Sequence, residues 1–463
     1  MAYGHTIAAI STPPGKGGVA LIRISGEDAL AVAERVFAPK RRGAAIKDNP
    51  RAQLYGDIRN SAEFVDDGML TYFPAPHSYT GEDVVEISCH GGTLVTRCVL
   101  EAVLSAGATA AEAGEFTRRA FINGRLTLTE AEAIGTVLEA RSRDQLRISS
   151  APSRDILAEK IAEIREELTS LLSSIFARID YPDEDLGEFT ARESLVILTE
   201  IDGKINRLLS TYPTGKAICE GIRTVIAGKP NVGKSTLYNA VLGEDAAIVT
   251  SVAGTTRDVL SREVSLGKVM LHLSDTAGVR NIALADEVEG IGIERTRAEL
   301  NKAELIIAVF DASRPLDGED AALVAELDAL GAAKIAVLNK CDLDAVITPE
   351  SLGGSFDAVI STSAKDSPTD TAAALASEAE RLFTDGSIRV GEEAVIYSAR
   401  QNSALMRAHV FIGAAIAAYE RGEWEDAAAS EIERALGAIA EADGRAVSDE
   451  VVAGIFSKFC VGK

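Results

Sequence analysis

The sequence predicts a multidomain protein of the α/β plus α class, with an N-terminal α+β domain and a discontinuous helical domain that an inserted β/α domain interrupts. Three patterns indicate this fold class. Short apolar runs alternate with turn residues over residues 1–125, amphipathic helical patterns cover residues 126–220 and 385–463, and β/α alternation fills residues 221–384. The length of 463 residues allows about three domains.

The N-terminal domain, residues 1–125, combines strands and helices. Its β-type runs include Thr6–Ile10 and Val19–Ile24, and helical patterns follow at about 27–37 and 93–105. It contains 13 Lys plus Arg against 14 Asp plus Glu, whereas the whole chain has a net charge of −23 at pH 7. Because phosphate backbones are bound largely by Lys and Arg, we expect any RNA contact of this acidic chain to be local or shared.

The helical domain is predicted from both flanks of the β/α segment. Apolar residues recur mostly every three or four positions from Ile156 to Ile179, and a second pattern from Leu195 ends near Tyr212-Pro213. Residues Ala399–Tyr419 and Ala427–Ala440 show the same periodicity. The simplest arrangement is one helical domain built from both flanks, and two separate helical domains are the alternative.

The β/α segment begins with a phosphate-binding loop. The sequence Gly228-Lys229-Pro230-Asn231-Val232-Gly233-Lys234-Ser235-Thr236 fits G-x-x-x-x-G-K-[ST] and follows the apolar run Val225–Ala227. Successive backbone amides of such a loop cradle phosphates, Lys234 can reach the β/γ oxygens, and Ser235 can ligate Mg²⁺. Residues 221–384 are therefore predicted to form a Ras-like P-loop G domain.

Four later segments predict that the nucleotide is GTP. A strand-like run is followed by Asp275-Thr276-Ala277-Gly278. Asp275 can bind a water ligand of the metal ion, and the Gly278 amide can face the γ-phosphate. Asn339-Lys340-Cys341-Asp342 supplies a carboxylate that can accept from guanine N1–H and its amine, donors that adenine lacks. Ser363-Ala364-Lys365 can offer a backbone amide to the base oxygen. Gly254-Thr255-Thr256-Arg257-Asp258 offers a hydroxyl for Mg²⁺ in the position of a switch loop.

The groups that perform hydrolysis are less evident from the sequence. Val279 follows Gly278 where Ras-like enzymes carry a water-orienting Gln. A carboxylate from the segment with Asp286, Glu287 and Glu289 could orient the water, or these residues could only solvate a helix start. Asn231 could hold a monovalent cation against the phosphates, and this cation would supply the positive charge that an arginine supplies elsewhere.

Composition argues against other classes of protein. The sequence has no apolar run of about 18 residues and no charged-then-apolar leader, so we expect neither a membrane span nor export. The five cysteines are scattered and lack CxxC spacing, which argues against a disulfide framework or a zinc site. The expected compartment is the cytoplasm. The final Cys460-Val461-Gly462-Lys463 has the composition of an exposed tail that carries a thiol.

Further motifs run along the whole chain in a specific order. They are Thr12-Pro13-Pro14-Gly15-Lys16-Gly17-Gly18-Val19, Arg23-Ile24-Ser25-Gly26, Thr80-Gly81-Glu82-Asp83, His90-Gly91-Gly92, Gly114-Glu115-Phe116-Thr117, Ala131-Glu132-Ala133-Ile134, Gly254-Thr255-Thr256-Arg257-Asp258 and Phe459-Cys460-Val461-Gly462-Lys463. In this order the chain resembles the bacterial MnmE (TrmE) family of tRNA-modification GTPases. The resemblance implies a tetrahydrofolate-binding N-terminal domain, a helical domain formed from both flanks, and an inserted G domain.

The resemblance also implies a function. Members of this family are GTP hydrolases that act with the flavoprotein MnmG (GidA) on tRNA. They install an aminomethyl-type group, commonly carboxymethylaminomethyl, at C5 of the wobble uridine of certain tRNAs. A reduced folate, either 5-formyl- or methylene-tetrahydrofolate, supplies the one-carbon unit. The resemblance further implies a homodimer whose G domains associate in a K⁺-dependent manner.

Site residues follow from the same resemblance. The folate site falls on Arg23, Glu82, Arg125 and Lys463. Position 125 is usually Lys in the family, so Arg125 keeps the charge but changes the donor geometry. The K⁺ ligands fall on Asn231, Thr250, Val252 and Thr255, and the Mg²⁺ ligands fall on Ser235 and Thr256. The remaining nucleotide-binding positions are Val232, Gly233, Lys234, Thr236, Ser251, Ala253, Gly254, Asp275, Thr276, Ala277, Gly278, Asn339, Lys340, Asp342, Ser363, Ala364 and Lys365.

Three residues are candidates for catalysis. The resemblance implies that Glu289 is the catalytic carboxylate, and Lys234 of the phosphate loop acts beside it. The stretch between Gly278 and Glu289 is slightly longer than in relatives, so Glu287 is the alternative carboxylate. Cys460 is either a one-carbon acceptor, because a thiolate is a good nucleophile, or a residue that only packs the tail near the folate. An Era- or EngA-like ribosome-assembly GTPase is the alternative class, and it would carry a basic RNA-binding domain.

Overall fold

The computed structural model describes residues 4–41, 43–180, 190–243, 261–274, 298–422, 425–457 and 459–463. It divides the chain into two compact units, residues 1–138 with 443–463 and residues 139–442. The predicted α/β plus α fold class is confirmed, because two mixed sheets and a set of long helices form the described part of the chain. The finer boundaries after residues 125, 220 and 384 stay a prediction. Among the described residues, no helix is long and apolar enough to cross a membrane.

The first unit is built on a mixed sheet of seven strands. These strands are β1 (Ile7–Ile10), β2 (Val19–Ser25), β3 (Phe37–Pro39), β4 (Leu54–Asn60), β5 (Glu63–Phe73), β6 (Val84–His90) and β7 (Thr109–Ala110). Their order across the sheet is β3-β4-β5-β6-β2-β1-β7. Neighbouring strands are antiparallel except for the parallel pair β1 and β7. The sheet therefore brings β2 between β6 and β1, although β6 is distant from it in the sequence.

Helices pack on both faces of this sheet. These helices are α1 (Ala29–Val36), α2 (Thr93–Ser105) and α3 (Glu115–Ile122), and α4 (Leu128–Glu139) follows them in the chain. Residues of α1 and α2 share a core with Ala8 and Ile24, whereas Phe116 of α3 packs with Ile7 and Ala9. Successive side chains of a strand point to opposite faces, so α3 lies on the face opposite to α1 and α2. The predicted helices at about 27–37 and 93–105 are confirmed.

The last residues of the chain also belong to the first unit. A C-terminal helix, Asp449–Phe456, brings Phe456 and Phe459 against Leu128. Val461 then forms an antiparallel bridge with Ala113. The aromatic contacts and this bridge hold the C-terminal residues against the N-terminal part of the chain.

Gly462 is buried, although the sequence predicted an exposed tail. Its φ of +98° lies in the left-handed region, and a Cβ there would be 2.2 Å from the Ile10 carbonyl oxygen. The Ser11 hydroxyl donates to the Gly462 carbonyl over 3.0 Å. Cys460, two residues earlier, is exposed as predicted. The tail is therefore docked by its backbone while its thiol faces solvent.

The second unit contains long helices and a six-stranded sheet. Its helices are α5 (Arg143–Ile148), α6 (Ala151–Asp180), α7 (Ala191–Cys219), α8 (Lys234–Leu242), α9 (Gly318–Asp328), α10 (Pro368–Phe383), α11 (Ala399–Glu420) and α12 (Glu425–Ala442), with a 3₁₀ turn at Pro349–Ser351. One apolar core joins α6, α7, α11 and α12, so helices from both flanks of the β/α segment pack together. This packing favours one helical bundle over two separate helical domains.

Helix α7 continues past the point where the sequence predicted its end. The apolar pattern predicted a stop near Tyr212-Pro213, but Pro213 lies inside the helix, which ends at Cys219. A proline removes one backbone donor and strains the preceding turn. Burial of Thr214 and Ile218 and a hydrogen bond from the Asp385 amide to the Thr214 hydroxyl, at 2.9 Å, hold the extra turns in place.

The sheet of the second unit is almost entirely parallel. Its strands are β8 (Ile222–Ala227), β9 (Ser261–Leu266), β10 (Val269–Ser274), β11 (Leu305–Asp311), β12 (Ala333–Asn339) and β13 (Ala358–Ser361), in the order β13-β12-β11-β8-β10-β9. Only the β9–β10 pair is antiparallel among these described strands. The carboxyl ends of β8, β11, β12 and β13 therefore lie side by side, and open α/β sheets bind ligands at the carboxyl ends of their strands.

Candidate functional site

The predicted phosphate loop joins the carboxyl end of β8 to the first turn of α8. Gly228 has φ +146° and Gly233 has φ +101°, and a Cβ at Gly233 would lie 2.1 Å from Asn339 Nδ2. Asn231 also has a left-handed φ, of +63°. These conformations turn the loop sharply into a helix N-terminus, whose free amides attract anions. The loop therefore has the backbone shape that the G-x-x-x-x-G-K-[ST] spacing predicts.

The polar side chains of the loop lie at the start of α8. Lys234 Nζ donates to the Gly228 carbonyl over 2.8 Å and to the Lys229 carbonyl over 2.6 Å, so its ammonium group folds across the loop. Ser235 and Thr236 follow on the first turn of the helix. An ammonium over the loop and a hydroxyl beside it fit a nucleotide phosphate with a Mg²⁺ ion.

Asn339 connects the phosphate loop to the segments predicted to bind the base. It ends β12 and is buried, and its Nδ2 donates to the Val232 carbonyl over 2.9 Å. Its Oδ1 accepts from the Ala364 amide over 3.0 Å. One side chain thus joins three motifs that are separate in the sequence, and it satisfies one donor and one acceptor in the interior.

The charged residues after β12 are oriented by local contacts. Lys340 has a left-handed φ of +68°, and its Nζ lies 2.6 Å from Asp311 Oδ2 at the end of β11. A hydrogen bond from the Ser363 hydroxyl, together with Lys365, lowers the pKa of Asp342 below its ordinary 3.8. Asp342 is consequently an acceptor at neutral pH, as recognition of guanine N1–H requires.

Several residues predicted from the sequence lie outside the described residues. This holds for the switch positions Thr250, Ser251, Val252, Ala253, Gly254, Thr255 and Thr256, for Asp275, Thr276, Ala277 and Gly278, and for the carboxylates Asp286, Glu287 and Glu289. Their roles stay predictions. The described part of the nucleotide site consists of the phosphate loop, Asn339 to Asp342 and Ser363 to Lys365.

A second cluster of polar side chains lies in the first unit, around the sheet face that α3 covers. Arg23 on β2 donates from Nε and Nη2 to Glu86 Oε1 on β6, over 2.9 and 2.8 Å. Its guanidinium also lies 5.1 Å from the centre of the Tyr79 ring and 5.8 Å from that of Phe116. Two rings and a carboxylate therefore fix the orientation of this cation.

Glu82 is held by donors from two different elements. The Ser25 hydroxyl donates to its Oε2 over 2.8 Å, and Arg119 Nη1 donates to both carboxylate oxygens over 3.1 and 3.3 Å. Arg119 lies on α3, is fully buried, and also donates to Glu115 Oε1 over 2.8 Å. A buried guanidinium between two carboxylates locks Glu82 in one orientation.

The other two predicted folate residues contact the loop before β6 and the start of α3. Arg125 Nε donates to the Ser78 carbonyl over 3.1 Å, in the loop that leads to Glu82. The Phe116 amide donates to the Lys463 carbonyl over 3.2 Å, which places the end of the tail at the start of α3. The structure thus brings Arg23, Glu82, Arg125 and Lys463 to α3 and the loop before β6.

Sequence reasoning missed the residues that organise this cluster. These are Tyr79, Glu86, Glu115, Phe116 and Arg119. Glu115 and Phe116 belong to the motif Gly114-Glu115-Phe116-Thr117, but Arg23, which lies over the Phe116 ring, is distant in the chain. The spacing of Glu115 and Arg119 by four residues is the one signal that indicates a helical ion pair.

A cavity of about 580 Å³ lies beside the same tail. Val461 lines it together with the Gly-rich turn before β2 and residues of β1 and α2. Its polar lining includes Thr12, Lys16, Thr93 and Thr96. The docked tail therefore contributes Val461 to this cavity and Lys463 to the contact with α3.

Comparisons with known proteins extend over the whole chain. The family profile described as "GTP-binding protein TrmE N-terminus" matches residues 6–125, and that described as "MnmE helical domain" matches residues 128–460. Curated proteins named "tRNA modification GTPase MnmE" are similar: that of Clostridioides difficile is 37% identical over 100% of both chains. The protein of the same name from Symbiobacterium thermophilum is 40% identical, and the one from Lactobacillus acidophilus is 39% identical. Both matches cover 98–99% of each chain.

Proposed function

The chain belongs to the MnmE family of tRNA modification GTPases, and on this premise we propose that it modifies the wobble uridine of certain tRNAs. It does so with the flavoprotein MnmG (GidA), and the product carries an aminomethyl-type group, commonly carboxymethylaminomethyl, at C5. The protein hydrolyses GTP, which binds at the loop from Gly228 to Thr236 and at the segments joined by Asn339. A reduced folate supplies the one-carbon unit.

The observation that carries the folate part of the proposal is the cluster around Glu82. A carboxylate held by Arg119 and Ser25 is a fixed acceptor for the N–H groups of a pterin ring. Arg23, Arg125 and Lys463 are cations close to α3, and they suit the carboxylates of the folate tail. These four residues therefore fit a reduced folate, 5-formyl- or methylene-tetrahydrofolate, by donor and acceptor type.

The docked tail supports a role for Cys460 near this cluster. Cys460 is exposed, and its carbonyl accepts from the Gly114 amide over 3.4 Å, directly before α3. In this proposal the Cys460 thiol either accepts the one-carbon unit or only helps to pack the tail. Replacement of Cys460 by Ser separates the two roles, because it preserves the packing but removes the nucleophile.

In the G domain we assign Lys234 to the phosphates and Ser235 to Mg²⁺, with Thr256 as the second Mg²⁺ ligand. Asn231 contributes to a K⁺ site together with Thr250, Val252 and Thr255, and Glu289 or Glu287 orients the attacking water. K⁺ and GTP order the switch segment and bring the G domains of a homodimer together. The helical bundle transmits their association and release to the folate site.

The first experiment is calorimetric titration with 5-formyltetrahydrofolate. We expect saturable binding to the wild-type protein and its loss in a variant that carries Arg23→Ala and Glu82→Ala. A second variant, Arg97→Ala, changes an exposed cation of α2 and serves as the matched control. If folded, GTP-competent wild-type protein does not bind 5-formyltetrahydrofolate, the one-carbon chemistry is excluded, and an Era- or EngA-like ribosome-assembly GTPase becomes the favoured function.

The potassium part of the proposal has its own test. GTP hydrolysis should be at least about tenfold faster in KCl than in NaCl at equal ionic strength. Replacement of Asn231 by Ala should reduce this difference and the hydrolysis rate more than it reduces nucleotide affinity, because the cation acts on charge that develops during the reaction. Equal rates in both salts would contradict a K⁺ site.

A further inference from the structure

One stretch of the first unit carries a positive charge that contrasts with the rest of the chain. Residues 37–60 contain six Lys or Arg and two Asp, a net charge of +4 in a protein whose net charge is −23. Of the six cations, the described ones are all exposed: Lys40, Arg41, Lys47, Arg51 and Arg59. We call these five residues the basic surface.

The fold places this stretch at one edge of the seven-stranded sheet. It comprises β3, which is the edge strand, β4, and the turns between them. The Lys40 amide donates to the Tyr55 carbonyl over 3.0 Å, and the Arg51 amide donates to the Tyr72 carbonyl over 2.7 Å. These backbone bonds hold both ends of the connecting turns against the sheet.

The outward face of β4 carries polar and aromatic side chains. Tyr55, Asp57 and Arg59 alternate with buried residues, so they point to the same side. Lys40 Nζ lies 4.6 Å from the centre of the Tyr55 ring and 3.2 Å from Asp57 Oδ1, and Arg59 Nη2 lies 3.1 Å from Asp57 Oδ2. Lys40 Nζ also lies 3.9 Å from Asp67 Oδ2, so Lys40 and Arg59 both have carboxylate partners, and the excess of positive charge on this stretch comes from its turns.

The three cations of the turns are not neutralised by acidic side chains. Within the described part of the chain, no ion pair is formed by Arg41, Lys47 or Arg51, and the Arg51 guanidinium donates to the His77 carbonyl, over 3.0 Å. Exposed cations in the second unit differ, since Lys160 pairs with Glu163 and Arg389 pairs with Glu392. A polyanion that approaches residues 37–60 therefore displaces no described carboxylate from these three cations.

We propose that the basic surface binds the phosphate backbone of tRNA. The inference rests on the proposed action on tRNA and adds the place where this acidic chain can contact it. Lys and Arg bind phosphates and release counterions, which makes the affinity fall with salt. The exposed Tyr55 ring, next to Lys40, offers a stacking face to an unpaired base.

Charge complementarity favours RNA over an acidic protein as the occupant. RNA presents phosphates at regular short spacing, which suits several exposed cations that lie along one edge and have no described carboxylate partner. Arg41, Lys47 and Arg51 supply such cations on turns, where side chains can adjust to a curved backbone. An acidic polypeptide is therefore the competing occupant that the experiment must exclude.

The test compares two variants with the same change of charge. One replaces Arg41 and Lys47 by Glu on the basic surface, and the other replaces Lys160 and Arg389 by Glu in the second unit. Binding of a fluorescent, unmodified tRNA to the full chain is measured between about 50 and 200 mM KCl. The surface variant should bind at least about tenfold more weakly at low salt, and the slope of log K against log salt should fall by about 1.5. The second-unit variant should stay within about twofold of the wild type.

Each other outcome overturns the proposal. Equal loss in both variants would show an effect of net charge alone, and unchanged binding in the surface variant would place tRNA elsewhere. If the wild type binds no tRNA but still hydrolyses GTP and binds 5-formyltetrahydrofolate, the basic surface is overturned, and the proposed function stands with tRNA held by the partner MnmG. A surface variant that loses binding of polyglutamate but keeps tRNA would assign the surface to an acidic protein. Melting curves of both variants show whether they are folded.

Discussion

The nucleotide site and the Glu82 cluster are assembled from the chain in different ways. In the nucleotide site each motif is contiguous and follows the end of a parallel strand, as Lys234 follows β8 and Asp342 follows β12. In the Glu82 cluster most contacts join distant residues, as Arg23 joins Glu86 and Glu82 joins Arg119, although Glu115 and Arg119 are only four residues apart. A parallel sheet collects its motifs at one edge by topology alone, whereas an antiparallel sheet needs specific side-chain partners.

This difference predicts where a single substitution acts on binding and where it acts on folding. The largest effect should come from Asp342→Asn, which keeps the shape but replaces a carboxylate acceptor by an amide. GTP affinity should fall on the order of 10³-fold, because guanine N1–H and the amine lose their shared acceptor. Fluorescence titration with a labelled GTP analogue measures this change.

A control variant sharpens the result for Asp342. Cys341 is the exposed neighbour in the same motif, and Cys341→Ser should leave GTP affinity within about threefold of the wild type. The amide that Asp342→Asn introduces can donate to a 2-oxo group, so xanthosine triphosphate should bind this variant better than GTP does. Retention of full GTP affinity by the variant would remove Asp342 from the base site.

The next largest effect should come from Arg119→Met in the first unit. Arg119 is fully buried between Glu82 and Glu115, so methionine fills part of the space but leaves two carboxylates without this counter-charge. Breaking a buried ion pair in this way costs about 3–5 kcal/mol. Hydrogen exchange of the α3 amides should accelerate by at least about 10²-fold.

Matched changes separate charge from packing at this position. Arg119→Lys keeps the charge but loses the fork that contacts both carboxylates, so we expect an intermediate loss of protection. Arg118→Met alters the neighbouring side chain of α3, whose partner Glu112 is exposed, and should cost less than about 1 kcal/mol. Equal protection in the wild type and in Arg119→Met would contradict a structural role for the ion pair.

The sequence predicted the nucleotide site better than the Glu82 cluster for the same physical reason. The residues of the phosphate loop are consecutive in the chain, and so are Asn339 to Asp342, so both motifs can be recognised from the sequence alone. Asn339 and Val232 were each predicted to belong to the nucleotide site. The hydrogen bond between them spans 107 residues of the chain and could not be predicted. Arg119 lies on a short helix, and its importance arises from its burial between Glu115 and Glu82, of which Glu82 is distant in the sequence. The helix through Pro213 was missed because tertiary packing outweighs the local cost of proline.

The docked tail provides a third and smaller test of long-range assembly. Gly462→Ala should weaken binding of 5-formyltetrahydrofolate by about tenfold, because its Cβ would meet the Ile10 carbonyl and the φ of +98° disfavours alanine. Gly454→Ala is the control, since a Cβ there meets nothing within 4 Å. Calorimetry measures both variants. Wild-type affinity of Gly462→Ala for 5-formyltetrahydrofolate would show that folate binding does not depend on the docking of Gly462 against Ile10.

The smallest expected effect concerns pH, and it again distinguishes the two regions. The pKa of Asp342 is lowered, so the base site should not titrate between about pH 5 and 8. In the first unit, a hydrogen bond from His90 Nδ1 to Asp66 raises the pKa of His90 above 6.5. The pair therefore stabilises the fold fully below about pH 6.5, and its contribution is lost as the pH rises through the raised value.

Proton NMR of the His90 ring measures this shift directly. The pKa of His90 should lie above 6.5 in the wild type and fall in Asp66→Asn, because an amide keeps the hydrogen bond to the His90 backbone but removes the charge. The variant should therefore lose stability mainly below that pH, where the wild-type pair is charged, and GTP affinity should stay constant throughout. An unchanged pKa in the variant would show that Asp66 does not hold the proton on His90, and the pH sensitivity assigned to the first unit would have to come from other groups.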